Sequence, residues 1–260
     1  MTPAVAPIVV VTGAAGLIGR EICAELTRRG SVVVAIDSLT AEVDAAQVLR
    51  ADVTNPAEIA SASAHIAATY GHIDRLIHAA ALTARTPGGG VSGELASIDL
   101  DVWRQLIDVN LTGALICVQR FLHLLARSAA PRVLLVGSIQ GLVPTLGTGA
   151  YGVSKAALAG LTRQLAAELA GVGIAVNMLA PGPISGGNQP DRPVTTGHGP
   201  TPMGRFGSPA EVARAVASVM EDSFDYMTGA VIPLDGGEHL RPRQGPRPRS
   251  QGPVTAKTTR

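Results

Sequence analysis

The chain has 260 residues, of which 46% are hydrophobic and 16% charged, so a large core is available and general disorder is excluded. Six of its 21 basic residues fall in 241–260, where no acid stands, leaving 15 basic against 20 acidic residues before that point. A mildly acidic body argues against nucleic-acid binding, which asks for a basic surface.

The opening MTPAVAPIVVV lacks a basic leader and runs directly into a predicted strand at 8–11, so it does not read as a signal peptide. Ile18, Ile22 and Leu26 then repeat at helical spacing. Further short apolar runs predict strands at 32–36, 48–51, 73–77, 133–136, 174–178 and 230–234. Continuous apolar runs, rather than alternating ones, suit a parallel sheet covered on both faces. Between them lie helical stripes, Val102, Leu106, Val109 and Gly113 in one and Leu158, Leu161, Leu165 and Leu169 in another. Asn55-Pro56-Ala57-Glu58 and Ser208-Pro209-Ala210-Glu211 each supply a capping residue followed by Pro at the first helical position. The apolar stretch 106–126 is predicted as one helix, and Asp108, Asn110 and Arg120 make it too polar to span a membrane.

The alternation predicts a single α/β domain over 1–240, a doubly wound parallel sheet of about seven strands with helices on both faces. Two irregular segments interrupt it, 86–93 and a long loop at about 184–205 that reads as a lid over substrate. From 241 to 260 the chain is Pro- and Arg-rich and reads as a disordered basic tail. Cys23 and Cys117 cannot form a disulfide scaffold and suit a reduced cytoplasm, and the six scattered histidines show no metal-ligand spacing.

Three constellations carry chemistry. In VVVTGAAGLIG, a strand runs into Gly13, Gly16 and Gly19 and a helix follows. Such glycines let the backbone turn tightly and approach a pyrophosphate at a helix N-terminus. Asp37 ends the second strand, 18 residues after Gly19, where an acid accepts the adenosine ribose hydroxyls and repels a 2′-phosphate. Ala15 and Ser38 offer that phosphate no charge, so NAD(H) is favoured over NADP(H). Asp52 and Val53, ending the third strand, are placed to bracket the adenine. The third constellation is Ser138, then twelve residues, then Tyr151-Gly-Val-Ser-Lys155. Taken alone, Tyr and Lys four apart on a helix describe a packed ring beside a solvated charge.

Taken together, these motifs, with VNLTG around Asn110, PGPIS at 181–185 and LDGG at 234–237, resemble the short branch of the short-chain dehydrogenase/reductase family from about Ile8 to Gly237. The resemblance implies a Rossmann-type fold, an NAD(H) cofactor and catalysis on a secondary alcohol or ketone. It implies Tyr151 as general acid–base, Lys155 as its electrostatic partner and holder of the nicotinamide ribose, Ser138 as hydrogen-bond partner of the substrate oxygen, and Asn110 as keeper of a relay water. It places Gly13, Ala15, Gly16, Leu17, Ile18, Gly19, Asp37, Ser38, Asp52, Val53, Ala79, Ala80, Ala81, Pro181, Gly182, Ile184 and Ser185 at the cofactor, and it implies a homotetramer or homodimer. A cation about 4 Å from a phenol at an effective dielectric near 20 is worth roughly 4 kcal/mol, so Lys155, together with the nicotinamide's own positive charge, is expected to bring the Tyr151 pKa toward working pH.

Two positions depart from the family pattern. Leu17 stands where short members usually have glycine, giving TGxxGxxG, a spacing that resembles the longer sugar-nucleotide epimerase branch. His78-Ala79-Ala80-Ala81 replaces the usual Asn-Asn-Ala-Gly, and His78 reads as a satisfied strand-end residue, the alternative being a contact to the cofactor. The C-terminal portion, through SPAEVARAV and YMTGAVIPLDGG, matches the short branch. The leading expectation is an NAD(H)-dependent alcohol/ketone oxidoreductase for a small polar or sugar-like molecule. The alternatives are a nucleotide-sugar epimerase or dehydratase with bound NAD, and a non-catalytic dinucleotide sensor.

Overall fold

A computed structural model describes residues 6–83, 94–186 and 201–241. The expected irregular segment 86–93, most of the expected lid (187–200) and the tail from 242 onward lie outside these residues. Strands β1 (Ile8–Thr12), β2 (Val32–Asp37), β3 (Gln47–Arg50), β4 (Arg75–His78), β5 (Arg132–Val136), β6 (Ala175–Pro181) and β7 (Val231–Leu234) form one sheet in the order β3-β2-β1-β4-β5-β6-β7. Every pairing is parallel. Helices α1 (Leu17–Arg28), α2 (Pro56–Tyr70), α3 (Leu100–Ile107), α4 (Gly113–Leu125), α5 (Gly149–Leu169) and α6 (Pro209–Val219) cover it. This is a Rossmann-type single domain.

The sheet is buried on both faces because alternate residues of each strand feed two separate cores. Val10, Leu76, Val133 and Leu135 pack with Ile59 and Ile66 of α2, Phe121 of α4 and Leu158 of α5. Val9, Val11, Ile77 and Leu134 pack on the other face with Ile22 of α1 and Val212 and Val216 of α6. Both Pro-containing helix starts are capped as the sequence predicts. Asn55 accepts from the amides of Ala57 and Glu58, and Ser208 forms a capping box with Glu211.

Strand order reverses between β1 and β4, and in open α/β sheets ligands bind beyond the carboxyl ends of the strands at such a point. The expected helix over 106–126 passes there, its backbone helical throughout but its α spacing interrupted once. A π turn, Asp108–Thr112, separates α3 from α4, because the Asn110 side chain is pulled toward the backbone of Leu82 after β4. The strand expected at 73–77 is displaced to Arg75–His78, since the Ile73 amide bonds Leu124 rather than a neighbouring strand. No helix among the described residues is long and apolar enough to cross a membrane.

Candidate active site

The turn after β1 is built for close backbone approach. Gly13 has φ +69°, and a Cβ there would run into the backbone of Ala79 and Ala80. A Cβ on Gly19 would strike the Gly13 carbonyl, so the third glycine lets α1 pack against the turn. Gly16 caps α1, and Leu17 is its first residue, half-exposed, with its side-chain methyls facing Gly186. The displaced glycine thus puts a side chain where it is accommodated at a helix start. Ile18 packs beneath, against the core of that face.

Ten of the expected cofactor residues line one cleft of about 380 Å³: Gly13, Ala15, Gly16, Asp37, Ser38, Asp52, Val53, Ala79, Ala80 and Ala81, joined by Leu39, Ala51, Leu82 and Val109. Asp37 accepts from the amides of Ala15 and Leu39, each at 2.9 Å, which aims its carboxylate over the glycine turn. Asp52 accepts from the amide and hydroxyl of Thr54, both at 2.8 Å, and so orders its own turn. Pro181, Gly182, Ile184 and Ser185 do not join this cleft. A Cβ on Gly182 would lie 2.6 Å from Asp235, Ser185 donates its amide to the Gly207 carbonyl at 2.8 Å, and Ile184 lines a separate cavity of about 210 Å³ with Pro183 and Val212.

Sequence reasoning missed two cations at the cleft rim. Arg20 donates to the Ala15 carbonyl at 2.8 Å and Arg50 to the Ser38 carbonyl at 3.2 Å. Only Ala15 and Ser38 themselves had been weighed for charge. The signal was the β2–β3 register, which sets Arg50 opposite Asp37 and cannot be read from one strand at a time.

At the carboxyl end of β5, Ser138 is buried and extended, and its side chain accepts from the Gln140 amide at 3.2 Å. Its side chain is hydrogen-bonded with the Tyr151 phenol, which sits in the first turn of α5. One turn on, the Lys155 ammonium lies 5.8 Å from the Tyr151 ring centroid and donates to the Val136 carbonyl at 3.0 Å. Gly141 was also missed. A Cβ there would lie 2.5 Å from the Lys155 backbone carbon, so glycine lets the turn after Ser138 press directly on the Tyr–Lys turn of α5.

Burial leads the electrostatics of this pair. Burial pushes the Tyr151 phenol up, and the Ser138 hydrogen bond offsets this in part. Lys155 is itself fully buried and pushed down to about 8 by the loss of hydration. Its amine is held by the Val136 carbonyl, and loss of hydration is the leading influence on both groups.

Asn110 is buried with its amide fully engaged. It accepts from the Leu82 amide at 2.7 Å and donates to the Leu82 carbonyl and to Ser154 Oγ. Ser154 in turn donates to the Tyr151 carbonyl at 2.7 Å, so Asn110 connects the loop after β4 to the Tyr151–Lys155 turn. His78 is fully buried at the end of β4, with Nδ1 2.9 Å from Thr12 Oγ1. Burial, and then the Lys155 charge, push it down to about 3, so the ring is neutral. The expected satisfied residue is only half satisfied, because Nε2 is buried without a partner among the described residues. No cluster of three or more His, Cys, Asp or Glu that could hold a metal occurs among them.

A family profile described as "Enoyl-(Acyl carrier protein) reductase" matches residues 13–239. The chain is 32% identical to cis-4-hydroxycyclohexanecarboxylate dehydrogenase of Sinomonas cyclohexanicum, covering 88% of this chain and 95% of that protein. It is 30% identical to the 3-oxoacyl-[acyl-carrier-protein] reductase of Salmonella typhimurium, covering 90% and 97% respectively. The solved ligand-free aldohexose dehydrogenase of Thermoplasma acidophilum superposes with a TM-score of 0.79 at 29% identity, covering 93% of this chain and 97% of that one.

Proposed function

The chain belongs to the short-chain dehydrogenase/reductase family, and from that premise we propose that it is an NAD(H)-dependent oxidoreductase interconverting a secondary alcohol and a ketone on a small polar or sugar-like molecule. The observation that carries this reading is the Ser138–Tyr151 hydrogen bond beside a buried Lys155, at the same sheet edge as a cleft headed by Asp37.

The cleft fits a dinucleotide. Gly13 and Gly19 leave no room for side chains at the turn, and the amino end of α1 follows, where backbone N–H groups favour pyrophosphate. Gly13, Ala15, Gly16, Leu17, Ile18 and Gly19 would hold the pyrophosphate, Asp37 and Ser38 the adenosine ribose, and Asp52 and Val53 the adenine. Ala79, Ala80 and Ala81 would line the path toward Tyr151 and Lys155 at the second ribose, with Pro181, Gly182, Ile184 and Ser185 at the carboxamide. When bound, the nicotinamide supplies the hydride donor or acceptor. Ser138 donates to the substrate oxygen as charge develops on it. Tyr151, kept a phenol by burial, gives its proton to that oxygen in reduction and takes it back in oxidation. Lys155 supplies the positive charge that stabilises the phenolate, and Asn110 holds the turn that carries both.

The NAD preference rests on Asp37, whose two oxygens are aimed by Ala15 and Leu39. The polar substrate class rests on relatives named for an aldohexose and for a hydroxycyclohexanecarboxylate. Family likeness further supports a homotetramer or homodimer. The test is a panel of polar secondary alcohols and sugars assayed with NAD and NADP in parallel. Net nicotinamide reduction with NAD preferred supports the reading, and NADP preference overturns the role of Asp37. Bound cofactor that turns over a nucleotide sugar without net reduction identifies the epimerase alternative, to which the TGxxGxxG spacing is similar.

A further inference from the structure

Among the described residues, two buried side-chain atoms near the Tyr–Lys turn have no partner, Gln140 Oε1 and His78 Nε2, and only the second belongs to a titratable group. His78 faces the same side of the sheet as α5. It pairs in register with Thr12 on β1 and with Leu135 on β5, and both its strand neighbour Leu76 and Leu135 belong to the core under α5. The residue after Leu135 is Val136, whose carbonyl receives the Lys155 ammonium at 3.0 Å. The ring therefore stands between Thr12, which holds Nδ1, and the strand from which Lys155 is hung. Its other nitrogen, Nε2, is buried and has no partner among the described residues, although buried polar atoms as a rule have one. Lys155 has the complementary deficit. An ammonium carries three donors, and one is placed on Val136.

We propose that His78 is a positioning residue for Lys155: the ring gives Nδ1–H to Thr12 and keeps a bare Nε2, which accepts from the Lys155 ammonium through one water. This deepens the oxidoreductase reading and, for its kinetic consequence, rests on it. The tautomer follows from the partners. A neutral imidazole beside a cation is stabilised with its lone pair toward the charge and its N–H away from it. The ring stays neutral across the working range because burial and Lys155 hold it down to about 3. The groups that contact this pair are neutral: Thr12 of β1 on His78, and the Val136 carbonyl of β5 and the Tyr151 ring on Lys155. Lys155 is pushed down by burial without a compensating carboxylate, so a neutral acceptor is the means by which this chain keeps its cation charged and aimed.

The test uses the full chain, which contains only two lysines, Lys155 and Lys257. With carbon-13 lysine the Lys155 titration is read directly, and with nitrogen-15 histidine so is the tautomer of His78. His78→Gln keeps an acceptor at the reach of Nε2, whereas His78→Asn keeps only the Thr12 side. The expected result is a bare Nε2 in the unmodified chain. In His78→Asn the Lys155 titration moves to lower pH by about one unit, as loss of a hydrogen bond to a charged group implies. The alkaline limb of kcat/KM moves with it, and His78→Gln restores most of both. A protonated Nε2, or a Lys155 titration that is the same in folded His78→Asn and the unmodified chain, overturns the proposal. The two titrations need no turnover, so failure of the oxidoreductase reading would show in the kinetics alone.

Discussion

The two edges of the sheet treat buried positive charge in opposite ways. At the amino edge, Arg75 and Arg132 begin adjacent strands and face each other in register, with side chains only 11% and 5% exposed. Both are paired: Asp222 bonds both, Asp225 bonds Arg132, and the carbonyls of Met220 and Ala130 take further N–H groups. At the carboxyl edge, Lys155 is buried as deeply, yet its partners are a single carbonyl, a ring face and a neutral imidazole nearby. The arginines are neutralised where they stand at the amino ends of β4 and β5. The lysine keeps its charge and spare donors for whatever enters the site, and the fold carries the cost of an unpaired cation there.

Substitutions at each edge test that contrast. The largest effect is expected from Tyr151→Phe, which should lower kcat by about 10²–10⁴-fold while NAD binding, followed by calorimetry, persists. A variant that retains turnover removes Tyr151 from the chemistry. Lys155→Met should abolish turnover and yet stabilise the fold at pH 7, by up to about 3 kcal/mol in denaturant unfolding, given a Lys155 pKa held down to about 8. The sign follows from proton counts. Between about 8 and 10.5 the unfolded lysine holds a proton that the folded one has lost, so the unmodified chain gains stability as pH rises through that window, and Lys155→Met should not. His78 acts at the acid end. Its folded value of about 3 lies below the ordinary 6.5, so stability should fall as pH drops below about 6.5, by ~1.4 kcal/mol per unit until the folded ring titrates. His78→Gln should flatten that part of the curve.

At the other edge the signs reverse. Arg132→Met should destabilise by about 1–2 kcal/mol, since carbonyls and carboxylates lose a partner but Asp222 and Asp225 remain solvated. A gain in stability there would erase the contrast between the edges. The smallest effect, about 1 kcal/mol, is expected from Ser208→Ala, which removes the capping box of α6 and touches neither edge.

Much of this was legible along the chain. The seven apolar runs, the glycine turn, Asp37 and the Ser–Tyr–Lys spacing are local; the runs become the sheet, and the other groups stand at the carboxyl ends of its strands. What was illegible depended on partners distant in sequence. The π turn at 108–112 exists because Asn110 bonds Leu82, 28 residues away. Arg50 reaches the cleft rim through its strand register with Asp37. The bridge of Ile184 to Gly207 and the bond of the Ser185 amide to the Gly207 carbonyl likewise join residues more than 20 apart.

The sequence by itself determined the fold class and the chemistry of the set, because periodicity, glycine placement and residue type are properties of short stretches. The tertiary structure alone decided the state of those groups. Whether Tyr151 is raised or lowered, whether Lys155 has a counter-ion, and what His78 faces are set by desolvation and by neighbours brought from other strands. Burial strips hydration from a charge only once the core has closed around it, and no stretch of sequence records which charges will be left inside without a partner.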